Sequence, residues 1–321
     1  MPTEYTQIPP ANLWGSVKQY YERGGFVNGL NPSIIGRIWY VNGLGAADVV
    51  RGSDTNTGRS PSSAFATMGR AFALIDSHDI IVLSGVIKEQ LTAPLGVYDV
   101  TIIGAANRPR QSTDGGVATG GGASWLKPAS PTATTPLLEL RNQAWKLINF
   151  QMAAHTDDAC VKMNRQESAT YPDASHLSMY GMRFTGGLIG LEDYGGASNV
   201  LIDDCSFEDL AGSGGGAIVV TNQSIAIPSR WTIRNSRILP CVNGIVGAWV
   251  DSIIRDNTIA KSTTATMNLA SGNTGLRNFV IWNSFNIAAA DFDPAGGVTG
   301  NATDVWISYL TDTLEYGQPA N

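Results

Sequence analysis

The nonapeptide NVLIDDCSF (199–207) returns with variations as RWTIRNSRI (230–238), DSIIRDNTI (251–259) and NFVIWNSFNI (278–287). Each copy has a β-branched or aliphatic pair, one variable residue, an Asn or Asp, two variable residues and then Phe or Ile. SMYGMRF (178–184) and KLINFQM (146–152) fit with small departures, and VTIIGAA (100–106) fits its first half. With the Asn/Asp position as a ruler, the chain is marked at Asn149, Gly181, Asp204, Asn235, Asp256 and Asn283, in steps of 32, 23, 31, 21 and 27 residues. A period of that size with one strand per repeat means stacked units, not a globule around one central core.

Side chains alternate across a strand, so Ile202, Ile233, Ile254 and Ile281 are expected to point inward and stack. Phe207, Ile238, Ile259 and Ile287 do the same beyond the bend. The Asn/Asp ruler residues suit a bend because they tolerate left-handed backbone, and stacked amides can bond from rung to rung. Alternation also sends Asp203 and Asp204 to opposite sides of their strand, so they cannot act together on one bond. Between the main strands runs a second series, GLIGLEDYG (187–195), GAIVVTN (216–222) and NGIVGAWVD (243–251), read as the next face of the same coil.

Ahead of the repeats, RIWYVN (37–42) reads as a strand. In the segment that follows, Ser60 can cap a helix with Pro61 at its first position. Phe65, Met68, Phe72 and Ile75 then share one face. An amphipathic helix there would cover the exposed end of the stack. DIIVLSGVIKEQLTAP (79–94) reads as two short strands around Gly85, and DVWISY (304–309) as the last rung. Residues 107–135, which carry Trp125, and residues 155–175 read as excursions from the coil. Residues 12–23 have Leu13, Val17, Tyr20 and Tyr21 at helical spacing and Gly24-Gly25 as a stop. Trp14, Tyr20 and Tyr21 on that segment need a surface to cover them.

A YVN strand, a GSDTNTG turn, a SPSSAFATMGRAF helix and a run of rungs together resemble the pectin-lyase-like right-handed parallel β-helix superfamily. In detail, residues 37–312 are similar to the β-helix proteins of phage spikes and bacterial surfaces. The fold expected is therefore all-β: a single-stranded right-handed parallel β-helix with an N-terminal capping helix and a short N-terminal arm. Its parts are an arm over 1–36, the strand, turn and capping helix over 37–78, and the β-helix proper over 79–321. The resemblance implies a virion surface protein, a spike or head-decoration protein, that binds polysaccharide. The arm would grip other virion proteins through Trp14, Tyr20 and Tyr21, with a homotrimer as the state common among such spikes. The alternatives on the same fold are a polysaccharide lyase or glycoside hydrolase, and a bacterial surface protein placed extracellularly. Only about a dozen residues follow 304–309, fewer than the separate trimerisation domain of many long spikes.

Composition narrows these classes. A net charge of −6 without a Lys/Arg run argues against nucleic acid. No apolar run is long enough to span a membrane, and MPTEYTQIPP has no basic or apolar leader character, so no Sec signal is expected. Synthesis in a host cytoplasm and display on a virion fit that start. Cys160, Cys205 and Cys241 lack metal spacing and are expected as buried thiols. Asp54, Asn56 and Gly58 resemble the start of a calcium loop, but its twelfth position is Phe65 where a bidentate Glu is required, so neither metal nor cofactor is expected.

The residue before each ruler position faces outward, giving a stripe of Tyr180, Asp203, Arg234, Arg255, Trp282 and Ser308. Arg suits bidentate recognition of carboxylate, and Tyr and Trp faces stack on sugar rings. The stripe is thus expected to hold extended glycans, acidic ones included, through Tyr180, Asp203, Arg234, Arg255 and Trp282, broadened by Arg183 and Arg237. The bland reading is a wet face on which Asp203 merely neutralises Arg234. Catalytic signatures are sparse. Asp203 with Arg234 and Arg255 is the nearest match to a lyase site, with one acid where several are needed. Outward acids Glu192, Asp193, Glu208, Asp209 and Asp251 leave a hydrolase pair open. His78, His155 and His176 have no recognisable partner.

Overall fold

The computed structural model describes residues 36–43, 52–105, 123–164, 174–212, 214–221, 227–260, 262–269, 277–287, 298–300, 304–310 and 313–316. The segment 12–23 with Trp14, Tyr20 and Tyr21 lies outside them. The described chain is nearly all β, and its strands form two sheets that pair in parallel throughout, apart from the last strand.

The first sheet takes two strands from each turn of chain. One set runs β1 (Ile38–Asn42), β2 (Ile80–Ser84), β5 (Thr101–Gly104), β8 (Lys146–Ile148), β11 (Ser178–Tyr180), β14 (Leu201–Asp203), β17 (Thr232–Arg234), β20 (Ile253–Arg255), β23 (Phe279–Asn286) and β25 (Val305–Leu310). After a bend follow β3 (Val86–Ile87), β6 (Ser124–Leu126), β9 (Gln151–Ala153), β12 (Arg183–Thr185), β15 (Ser206–Glu208), β18 (Arg237–Ile238), β21 (Thr258–Ala260) and the far half of β23. The second sheet stacks β4 (Leu91–Thr92), β7 (Leu138–Leu140), β10 (Ala159–Asn164), β13 (Ile189–Tyr194), β16 (Gly216–Val220), β19 (Asn243–Val246), β22 (Ala265–Asn268) and β24 (Val298–Thr299). This is the order of a parallel solenoid, and β13, β16 and β19 are the second face that the sequence pattern gave.

Its interior is three ladders. Trp39, Ile81, Ile102, Leu147, Met179, Ile202, Ile233, Ile254, Val280 and Trp306 align rung on rung and are all buried. Beyond the bend, Trp125, Met152, Phe184, Phe207, Ile238, Ile259 and Phe285 do the same. Phe184 and Phe207 stack at 4.8 Å. The second sheet contributes Leu138, Val161, Leu191, Ile218, Ile245, Met267 and Val298. Each such side chain contributes about 1.5–3 kcal/mol by leaving water.

Two series of left-handed bends keep the strands in register. One lies two residues before the first strand, at His78, Asp99, Ala144, His176, Asn199, Arg230 and Asp251, all with φ between 52 and 70 degrees. The other follows the first strand, at Asn149, Gly181, Asp204, Asn235, Asp256 and Trp282. Here the structure corrects the ruler on its last rung. β23 pairs Ile254 with Val280 and Arg255 with Ile281, one residue earlier than the pattern implied. Trp282, not Asn283, therefore takes the bend, and Val280 and Phe285 take the interior places assigned to Ile281 and Ile287. The cause is the residue after the bend. Asn283 is fully buried, and its Oδ1 accepts from Asn257 N at 3.1 Å and Asn257 Nδ2 at 2.9 Å. Asn257 Oδ1 in turn accepts from Ser236 N at 2.9 Å, and Ser236 Oγ from Cys205 N at 3.1 Å. The rung-to-rung ladder is thus built by the residue following the left-handed one. A matching ladder before the first strands joins Ser252, Asn278 and Asp304.

At the N-terminal end the lid is shorter than expected. Ser60 and Pro61 start only a 3₁₀ turn (Pro61–Ser63), and the helix proper, α1, is Met68–Phe72, capped by Thr67. Asp54 accepts from Ala66 N and Thr67 N, and Glu89 from Met68 N and Gly69 N, so both carboxylates serve that corner. Phe65 is outside the helix and bridges Val41, satisfying the free edge of β1. Phe72 packs edge-on against Trp125 and Trp145. Trp125 itself is in β6, and β10 lies within 155–175, so both presumed excursions contain rungs of the stack. At the other end β25 is followed by an antiparallel β26 (Thr313–Tyr316). All three cysteines are buried free thiols.

Asn257→Ala removes an acceptor for Ser236 N and the donor to Ile233 O inside the bend. Urea unfolding should show a loss on the order of 1–3 kcal/mol, whereas Asp256→Asn, at the exposed left-handed position, should stay near wild type.

Candidate functional site

The outer ladder of the first sheet is continuous from end to end. Tyr40, Val82, Ile103, Ile148, Tyr180, Asp203, Arg234, Arg255, Ile281 and Ile307 occupy one position on successive rungs. The alignment expected of Tyr180, Asp203, Arg234 and Arg255 is therefore present, but it is not an open stripe. Tyr180 is buried in an apolar cluster with Tyr40, Ala64, Val82, Ile103 and Ile148. Burial, followed by the nearby Asp203 charge, pushes its hydroxyl up to about 12. Asp203 is 2% exposed; its carboxylate accepts from Arg234 Nη2 at 3.0 Å and Asn235 Nδ2 at 2.8 Å. A buried acid neutralised in this way is committed to structure. Ser308 is also buried. Trp282 is exposed but stands on the bend, one place away from the ladder. Arg255 pairs with Asp256 at 2.9 Å, and Arg183 pairs with Glu208. Exposed Arg237 makes no ion pair among the described residues.

The second sheet assembles a group that the linear pattern left scattered. Glu139, Lys162 and Glu192 occupy one outer position on three consecutive rungs. Two residues on, Asn164 and Tyr194 pair across the next outer position, with Arg141 on the rung before. Side-chain exposures of 13% for Glu139, 22% for Lys162 and 13% for Glu192 describe a recessed row rather than a washed surface. Glu139 accepts from Thr92 Oγ1 at 2.9 Å, Arg141 Nη2 at 2.8 Å and Asn164 Nδ2 at 2.5 Å. Burial alone would raise its carboxyl, but those three donors and the Arg141 charge outweigh it and hold it below the ordinary 4.5. Glu192 accepts from Thr221 Oγ1 at 2.7 Å and lies 3.4 Å from Lys162 Nζ, which sits 4.4 Å from the centre of the Tyr194 ring.

Chemically, the row offers carboxylate acceptors, one ammonium and one aromatic ring at a spacing of about 4.8 Å per rung. The glutamates are two rungs apart, about 10 Å, at the upper limit of the separation for inverting glycoside hydrolysis. A general acid needs a raised pKa, and Glu139 has the opposite shift. Among the other acids, Asp193 is buried and accepts from Ala197 N, and Asp251 pairs with Arg277. The histidines do have partners: His78 lies 2.9 Å from Asp99, which also pairs with Lys146. His155 lies 3.5 Å from Asp157, and His176 lies 3.3 Å from Asn199 Nδ2. No group of three or more metal-ligating side chains occurs among the described residues, nor is any helix there long and apolar enough to cross a membrane.

No protein-family model matches the chain, and no curated protein matches it. Among solved structures, it is similar to a rhamnogalacturonan lyase, with TM-score 0.39 and 12% identity over 86% of this chain and 87% of that one. It is also similar to the GH136 lacto-N-biosidase from Eubacterium ramulus, with TM-score 0.35 and 9% identity over 95% and 69% of the two chains. Likeness at that level assigns neither activity nor substrate.

Because the Glu139 pKa is lowered on folding, its contribution to stability is present above about pH 4.5 and is lost as the pH falls below that value. Chemical denaturation from pH 6 to pH 3 should show a steeper loss for wild type than for Glu139→Gln. Asp203→Ala, which leaves Arg234 and Asn235 without their acceptor, should cost about 1–3 kcal/mol at neutral pH.

Proposed function

We propose that this chain is a right-handed parallel β-helix that binds a neutral, hydroxyl-rich polysaccharide along the row of Glu139, Lys162, Glu192 and Tyr194. The observation that carries this is the recessed alternation of acid, base and acid on three rungs, with an aromatic ring beside it. Carboxylates accept from sugar hydroxyls and an ammonium donates to them, while a Tyr face packs on the apolar side of a sugar ring. A polymer laid along the rod meets one charged group per rung. Two glutamates beside Lys162 and Arg141 leave little net charge, so an anionic glycan gains nothing there. The likeness of residues 37–312 to phage and bacterial-surface β-helices supports display on a virion, with residues 1–36 as the attachment arm.

A depolymerase is the second reading, favoured by the two-rung separation of Glu139 and Glu192. It is the weaker one, because Glu139 is held ionised by three donors and so has no proton to give as a general acid. Reducing-end and unsaturated-uronate assays on capsular and pectic polysaccharides separate binder from enzyme; the expected outcome is binding without release of either product.

Titration calorimetry with soluble oligosaccharides should show affinity falling at least about tenfold for Glu192→Gln combined with Tyr194→Ala. It should be unchanged for Arg255→Ala combined with Trp282→Ala. The reverse pattern would return the site to the first sheet.

A further inference from the structure

The described residues leave six large apolar side chains exposed, and four of them lie on three successive rungs of the first sheet. These are Ile253 at 37%, Phe279 at 45%, Val305 at 42% and Trp282 at 53%. Ile253, Phe279 and Val305 are directly in register, and half-buried Ile281 and Ile307 run beside them two residues on. The result is an apolar strip along the rod, close to the C-terminal end of the stack. Trp282 sharpens the point. A bulky residue at φ 56 degrees stores strain of about 1–3 kcal/mol, here with its ring directed to solvent. Ile and Val are the wrong chemistry for a sugar, since they offer neither a ring to stack nor a hydrogen bond. Contiguous apolar surface of this kind is what protein contacts cover.

Charge on the two rims says which protein. On one side Asp251 and Arg277 lie 3.0 Å apart on adjacent rungs, 42% and 70% exposed. On the other, Arg255 and Asp256 share the β20 rung, with Trp282 on the next. Suppose two such faces meet about a twofold axis parallel to the strands and midway between β20 and β23. Each Asp251 then faces the Arg277 of the second copy, each Ile253 faces a Phe279, and each Arg255 faces an Ile281. The symmetry repeats the Asp251–Arg277 pair on one rim, and on the other the aliphatic stem of Arg255 lies on Ile281. With the rods parallel instead, about an axis along the Ile253–Phe279–Val305 line, Asp251 would meet an Arg255 that Asp256 already neutralises, and the more exposed Arg277 would be set against Ile281.

We propose that this strip is a self-association surface through which two copies pair face to face with their rods antiparallel. Apolar burial supplies the affinity and the Asp251–Arg277 exchange sets the direction. Such a face-to-face contact closes as a pair, not as the threefold assembly expected from the phage resemblance.

Sedimentation velocity of the full chain over a wide concentration range tests this. A species of twice the chain mass is expected to form as concentration rises. Phe279→Asp, an exposed position that leaves the core intact, should weaken it at least about tenfold. Asp251→Arg should also weaken it, by setting Arg against Arg277 of the second copy, and Asp251→Arg combined with Arg277→Asp should restore it. Arg is tolerated at that bend, since Arg230 holds the same left-handed position one rung earlier. Thermal melts by circular dichroism confirm that each variant is folded. A wild-type chain that stays monomeric, a Phe279→Asp variant with unchanged association, or a threefold mass would each overturn the proposal. So would a double charge reversal that fails to recover the pair.

Discussion

The backbone hydrogen bonds between consecutive rungs are the constraint from which the other features follow. A parallel strand can satisfy its N–H and C=O groups only if the next turn of chain arrives in register. Each turn must therefore reverse direction at fixed points, whatever the length of the segments between them. Left-handed residues at His78, Asp99, Ala144, His176, Asn199, Arg230 and Asp251 perform one reversal, and Asn149 through Trp282 the other. Side chains just beyond the second bend then occupy the interior corner. There Ser236, Asn257 and Asn283 accept the backbone N–H groups that the bend would otherwise strand.

With the interior fixed in this way, variation is confined to the outside, and one outer position changes character along the rod. It is apolar and covered from Tyr40 to Tyr180, charged and paired at Asp203 and Arg234, and aliphatic again at Ile281 and Ile307. A single ladder can thus serve structural packing at one end and contact with another molecule at the other. The second sheet behaves similarly. Its outer row is charged on the rungs of Glu139, Lys162 and Glu192 and becomes apolar at Val219. Sites on such a scaffold are short stretches of rungs, not pockets closed by loops.

Legibility followed from the same physics. Where the bend residue was Asp or Asn, the ruler was right; where Trp282 took the bend, it slipped by one, because a buried Asn283 mimics an Asn at the bend. β6 and β10 were passed over since their short strands sit among Gly, Pro and polar residues, which read as loop. The row of Glu139, Lys162 and Glu192 was missed because its members are far apart in the chain. The signal that would have found it is alignment of LEL (138–140), VKM (161–163) and LED (191–193), where an aliphatic residue precedes each outward charge by one place.

The sequence by itself determined that this chain stacks: its period, its inward isoleucines and its turn-forming Asn and Asp residues admit little else. It also determined that Tyr180, Asp203, Arg234 and Arg255 align on the outer face of the first sheet, because alternation is a property of the strand alone. On the last two rungs, by contrast, Ile281 and Ile307 hold the places expected of Trp282 and Ser308. Exposure was decided only by tertiary structure. Whether Tyr180 and Asp203 meet solvent or are buried depends on which neighbours cover their rungs, and the meeting of Glu139 with Lys162 and Glu192 depends on the path between rungs. Periodicity carries side-chain direction, but burial and partnership are sums over chain segments distant in sequence, and no local pattern contains them.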